Sequence, residues 1–174
     1  GVGSILCQWG KALGATVIGT VGSEEKAKLA KKFGAKHVIL YRTEDWVARV
    51  KEITKGKLCN VVYDGVGKAT FPGSLDCIRP LGMFASFGSA SGPIDAFNIG
   101  ILGQKGSLFA TRPTLFTYLA DPERKKKMAK DLMKQLADGT IKIPITGKLK
   151  LEDAVKAHTL LQGRDTTGML ILIP

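Results

Sequence analysis

An α/β fold built on a doubly wound parallel sheet is predicted by three features of this 174-residue chain. It opens on Gly1-Val2-Gly3, a glycine-rich turn that runs straight into a helical pattern. Short apolar runs rich in Val, Ile and aromatic residues follow at intervals. Helical stripes separate them, and such alternation means parallel strands joined by crossover helices.

The elements follow in order. Residues 4–13 place Ile5, Leu6, Trp9 and Leu13 at helical spacing. Runs at 16–21, 37–41, 60–64 and 83–87 read as strands buried on both faces, as a parallel sheet requires. Between them lie helical patterns at 24–33, at 45–54 with Trp46, Val50 and Ile53 on one stripe, and a shorter one ending at Ile78. A further strand, bounded by Ser107 and Thr111, is interrupted by Arg112-Pro113, and the domain boundary is placed there: 1–112, then 113–174. The second part begins with a well-signalled helix, with Asp121 as N-cap, Pro122 at the first helical position, a stripe of Met128, Leu132 and Leu136, and Gly139 as terminator. Alternating Ile141, Ile143 and Ile145, a helix from about Leu151 and a closing strand at 169–173 complete the chain.

In a doubly wound sheet the strand ahead of the first glycine turn is central. No such strand precedes Gly1, so a gap is expected in the middle of the ladder and the chain reads as a fragment of a longer protein.

Composition narrows the function. A hydrophobic share of 44% supports one sizeable core, and no apolar run approaches the roughly 20 residues that span a bilayer. A soluble, cytoplasmic protein with no membrane partner is expected. The net charge of +11 is densest at 26–32 and 124–130, but no aromatic residues interleave with these basic runs as a stacking surface for RNA requires. Nucleic acid is therefore not expected as the main partner. Cys7, Cys59 and Cys77 are widely spaced, with only His37 and His158 to assist them, so neither a disulfide framework nor a zinc site is expected. All three cysteines are read as small buried hydrophobes.

The chemistry concentrates at strand ends. Glycines at a strand-to-helix turn let backbone N–H groups approach a pyrophosphate, and the helix dipole favours its charge. At the end of the next strand an NAD-binding fold places a carboxylate to hold the ribose 2′-hydroxyl. This chain has Val21-Gly22-Ser23 there, so a 2′-phosphate is not repelled. If Ser23 is the N-cap of the following helix, Lys26 falls at the third helical position, where a capping box wants Glu or Gln and the dipole disfavours a cation. A bound phosphate accounts for that broken rule, which makes Ser23 and Lys26 candidates for 2′-phosphate recognition. Tyr41, the Asp64-Gly65-Val66-Gly67 turn and the Ser86-Phe87-Gly88-Ser89 segment also fall at carboxyl ends of strands, where open α/β sheets bind ligands. Core packing is the alternative for Tyr41 and Phe87. A serine hydrolase built on Ser89 or Ser91 with His158 is not supported, because the sequence around the serines is not the G-x-S-x-G elbow.

On the stretches GVGSILCQWGKALGATVIGTVGSEEK, NVVYDGVG, FASFGSASG, KGSLFATRP and EDAVKAHTLLQGRDTTGMLILIP, the chain resembles the zinc-independent quinone oxidoreductase (ζ-crystallin-like) branch of the medium-chain dehydrogenase/reductase superfamily. The resemblance runs almost end to end. It implies a Rossmann-type NADP-binding domain and a C-terminal segment returning to a GroES-like catalytic domain, the chain being the C-terminal half of the enzyme. It further implies that Val2 and Gly3 meet the pyrophosphate, that Gly22, Ser23, Lys26 and Tyr41 surround the adenosine end, that Val66, Phe87, Gly88 and Ser89 lie toward the nicotinamide, and that Arg164 reaches back to the cofactor. A homodimer paired through the 107–111 strand is implied as well. The expected function is hydride or electron transfer from NADPH to a quinone, with no catalytic side chain and no metal ligand in these residues. An NADPH-dependent enone or enoyl reductase and a basic RNA-binding module are the alternatives.

Overall fold

The computed structural model describes residues 1–163 and 166–174. They pack as two compact units, Gly1–Arg42 with Lys130–Pro174, and Thr43–Ala129.

The first unit begins with helix α1, Val2–Ala12. The opening glycine turn predicted from sequence is shorter than expected: Gly1 is the N-cap, while Val2 and Gly3 already belong to the first helical turn. Their N–H groups are among those an α-helix leaves without internal acceptors. Strand β1, Ile18–Val21, leads to helix α2, Glu24–Lys32, and then to strand β2, His37–Leu40, which pairs with β1 in parallel, Ile18 opposite His37. This is a βαβ crossover. Its core includes Ile39, Ala27 and Ala35.

The later part of this unit pairs β6, Ile145–Lys150, with β7, Met169–Ile173, again in parallel, with helix α8, Ala154–Gln162, in the connection. Of the three alternating isoleucines only Ile145 enters a strand; Ile141 is instead a fully buried anchor in the preceding turn. Gln8 of α1 clamps that turn, its amide donating to the Lys142 carbonyl and accepting from the Lys142 N–H, at 3.0 and 2.8 Å.

In the second unit, helix α3, Trp46–Ile53, is capped by Asp45, and strand β3, Cys59–Asp64, follows. Helix α4 is only Gly73–Asp76, and Ile78, expected to close it, opens strand β4, Ile78–Ser86. β4 starts earlier than predicted because Ile78 pairs with Cys59 ahead of a register shift, after which Val61 pairs with Met83. Helix α5, Gly100–Gln104, precedes strand β5, Phe109–Thr111, and the sheet order is β3-β4-β5, all parallel. Its core is Leu75, Ile78, Phe84 and Leu108. In this sheet burial on both faces holds only at the end of β4, where Phe84, Ala85 and Ser86 are buried; Leu81 earlier in β4, Val61 and Tyr63 of β3 and Phe109 of β5 are exposed. Helix α6, Leu115–Leu119, and helix α7, Pro122–Ala137, follow, and the Asp121 carboxylate caps α7 by accepting from the Arg124 N–H at 2.8 Å.

Ladders β1-β2 and β3-β4-β5 share no hydrogen-bonded strand pair.

Candidate functional site

At the carboxyl end of β1, Ser23 adopts extended backbone and caps α2, its hydroxyl accepting from the Lys26 N–H at 3.3 Å. Lys26 is therefore the third residue of the helix, as the sequence reading required, and Glu24 and Glu25 serve the positive helix end. The Tyr41 N–H donates to the Val21 carbonyl at 3.1 Å and holds the end of β2 beside that of β1. Gly22 is explained by what surrounds it. A β-carbon there would lie 2.8 Å from the Tyr41 hydroxyl and 3.2 Å from Nε of Arg42. The glycine thus leaves a cradle of bare backbone flanked by a phenol and a guanidinium, and this donor set fits the phosphorylated ribose of an NADP-type cofactor. Tyr41 is 45% exposed, which removes the core-packing alternative. Arg42, next to Tyr41 in the chain, belongs to no one-dimensional pattern that would bring it to Gly22.

At the start of α1, a β-carbon on Gly1 or Gly3 would meet nothing within 4 Å, so the backbone there is open to an approaching group.

The second unit carries a different construction. Asp64, at the end of β3, is 4% exposed. One carboxylate oxygen accepts from the Val66 and Gly67 N–H groups at 2.8 and 2.9 Å, the other from the Thr70 and Ser74 hydroxyls at 2.7 Å each. Burial pushes its carboxyl up, but the four hydrogen bonds outweigh that and hold it below the ordinary Asp range. Gly67 takes φ +85°, and its missing β-carbon clears the Gly92 carbonyl; one at Gly88 would lie 2.6 Å from the Gly65 carbonyl. The turn after β3 and the segment after β4 are laced together: Ala90 N–H donates to Gly65 O, Ser91 N–H to Val66 O, and Lys68 N–H to Gly92 O. The Ser91 hydroxyl donates to Val66 O at 2.8 Å and accepts from the Ala69 N–H at 2.9 Å, a structural duty. His158 is exposed on α8.

Phe87 is 37% exposed, so it too is no core residue. Gly88 and Ser89 open onto a cavity of about 410 Å³ with Phe84, Ile94, Phe97 and Arg112. A guanidinium nitrogen of Arg112 donates to the Ser86 carbonyl at 2.8 Å, fixing the end of β4; the sequence reading assigned this arginine no role. Arg164 lies outside the described residues.

Cys7 and Cys77 are buried and Cys59 is half-buried. Burial first, and then the neighbouring Cys59 and Asp76, push the Cys77 thiol up to about 12, so it stays protonated. Among the described residues no group of three or more His, Cys, Asp or Glu is placed to hold a metal, and no helix is long and apolar enough to cross a membrane.

Parallel ladders, a crossover helix capped at a strand end and glycine-cleared turns are the features of a Rossmann-type α/β fold. The chain belongs to the zinc-binding dehydrogenase family, whose pattern matches residues 1–116. It is 51% identical to a quinone oxidoreductase of Pseudomonas aeruginosa across the whole chain and 54% of that protein. It is 43% identical to a 2-haloacrylate reductase of a Burkholderia species, across the whole chain and 53% of that protein. Among solved structures, Escherichia coli quinone oxidoreductase complexed with NADPH superposes with a TM-score of 0.96 at 49% identity, over the whole chain and 54% of the other. The chain spans about half the length of the curated relatives it matches.

Proposed function

We propose that this chain is the cofactor-binding half of an NADPH-dependent quinone oxidoreductase. The observation that carries the reading is the cradle at Gly22, where the strand end carries hydroxyls and cations in place of a carboxylate. In the first unit, the N–H groups of Val2 and Gly3 face the pyrophosphate, and Gly22, Ser23, Lys26 and Tyr41 take the adenosine end. In the second unit, Val66, Phe87, Gly88 and Ser89 present backbone and ring to the nicotinamide end, held in place by Asp64 and Arg112. Arg164 belongs to the same proposal. When bound, NADPH supplies the hydride, so the residues here need only bind, orient and exclude water.

The division into 1–112 and 113–174, zinc independence and a cytoplasmic location are further parts of this reading. A homodimer paired through the 107–111 strand is supported by β5, an edge strand whose three residues are all exposed. Such an edge offers unpaired backbone groups to a second copy. The matching relatives do not favour the RNA-binding alternative.

An enone reductase is the second reading, on the similarity to 2-haloacrylate reductase. Turnover by the full-length protein with NADPH and with NADH, against a quinone series and 2-haloacrylates, decides between them. NADPH preferred with quinones is expected. Turnover of haloacrylate alone establishes the second reading, and equal use of NADH and NADPH removes the 2′-phosphate assignment. Zinc content and sedimentation of the same preparation test zinc independence and the dimer.

A further inference from the structure

We propose that Arg42 is a specificity-determining residue that, with Lys26, neutralises the 2′-phosphate and so sets the preference for NADPH over NADH. This rests on the reading of the Gly22 cradle as a cofactor site and adds a second cation to it.

The geometry is local to one βαβ unit. β1 and β2 end side by side, with Tyr41 tied back to Val21, so the residue after Tyr41 emerges at the same edge as Gly22. Nε of Arg42 lies 3.2 Å from the position a Gly22 β-carbon would take, and the Tyr41 hydroxyl lies 2.8 Å from it. Any side chain at position 22 would fill the space toward which the phenol and the guanidinium converge.

The donor chemistry is complementary to a phosphate. The Ser23 oxygen already accepts from the Lys26 N–H, which leaves its hydroxyl hydrogen to donate outward. Tyr41 supplies a second hydroxyl and Lys26 a point charge. Arg42 adds a planar fork that can donate two parallel hydrogen bonds to a phosphate, a geometry lysine cannot copy. None of the ion pairs among the described residues uses Arg42, and its side chain is exposed. A merely structural arginine would be engaged with protein acceptors, as Arg112 is with Ser86.

The test is binding of 2′,5′-ADP and of 5′-AMP to the full-length protein by calorimetry, for the wild type and for Arg42→Ala, Arg42→Lys and Lys26→Ala. The expected result for Arg42→Ala is about a tenfold loss for 2′,5′-ADP, the scale of one charge-assisted contact, with 5′-AMP unchanged. Arg42→Lys should recover only part of it. Steady-state kinetics of Arg42→Ala should show KM for NADPH raised by more than KM for NADH. If Lys26→Ala weakens 2′,5′-ADP and Arg42→Ala does not, the role of Arg42 is overturned while the site stands. If neither variant separates the two nucleotides, the 2′-phosphate reading itself fails. An equal loss of both nucleotides in Arg42→Ala overturns the proposal by making the residue a scaffold, and Arg42→Lys with a wild-type unfolding midpoint guards against confusion with misfolding.

Discussion

The ends of β1-β2 and of β3-β4 are both carboxyl edges of parallel strands, and both depend on glycine, yet they are built on opposite principles. At Gly22 the surroundings are exposed side chains, Tyr41 and Arg42, and the backbone is left bare. At Gly65 to Gly67 the side chain that matters is the buried carboxylate of Asp64, and the backbone is tied at every step. Under the proposed function the first arrangement recognises a charge that arrives from solvent. The second fixes main-chain groups in space and uses its own charge inside the protein to do so. Stability and recognition should therefore separate cleanly between the two edges.

The largest effect should come from Asp64→Ala. Removing a buried carboxylate that accepts four hydrogen bonds strands the Thr70 and Ser74 hydroxyls and two N–H groups, at a cost of roughly 3–5 kcal/mol. Urea unfolding of the full-length protein measures it, and a loss under about 1 kcal/mol would show that the turn after β3 is not held this way.

Two alanine substitutions sharpen the contrast. In Gly88→Ala the new β-carbon strikes the Gly65 carbonyl, a backbone atom that can move only with its hydrogen-bonded turn, so about 1–3 kcal/mol of destabilisation is expected. In Gly22→Ala the clash is with the ends of flexible side chains, so the unfolding midpoint should barely change while NADPH affinity drops. Equal destabilisation by the two would erase the distinction between the edges.

Acid gives a smaller signal with a definite sign. The folded Asp64 carboxyl is held below its ordinary value, so its contribution is fully present above the unfolded value of about 3.9 and is lost as pH falls through the lower folded value. Asp64→Asn should flatten the pH dependence of stability in that acid window, and an unchanged slope would assign acid sensitivity to other groups. The smallest expectation concerns Cys77: with its thiol pushed up to about 12, alkylation by iodoacetamide at pH 8 should be negligible until the protein unfolds. Rapid labelling of native Cys77 would contradict its burial.

Much of the fold was legible in one dimension. Ser23 and Asp121 announce their helices because capping is a local hydrogen bond between residues three apart, and both bonds are present. The alternation of apolar runs and stripes located β1 to β5 in order, and the glycine-rich strand ends pointed to both edges. The errors fall where partners are distant. β4 begins at Ile78 because Cys59 is available to pair with it, and Ile141 is an anchor because Gln8 clamps the turn beside it. Asp64 followed by two glycines was a turn signal, but that Thr70 and Ser74 would close on the same carboxylate was not readable.

By itself the sequence determined the local chemistry: which residues cap, which runs pair as parallel strands, and that no carboxylate stands at the end of β1 to reject a 2′-phosphate. These follow from spacing, because helix caps and strand periodicity are short-range. Tertiary structure decided which side chains share a space. Arg42 meets Gly22 only because β2 lies beside β1, and Asp64 is a buried hub only because α4 folds back over the end of β3. Such convergence depends on contacts between residues far apart in the chain, and no local spacing encodes it.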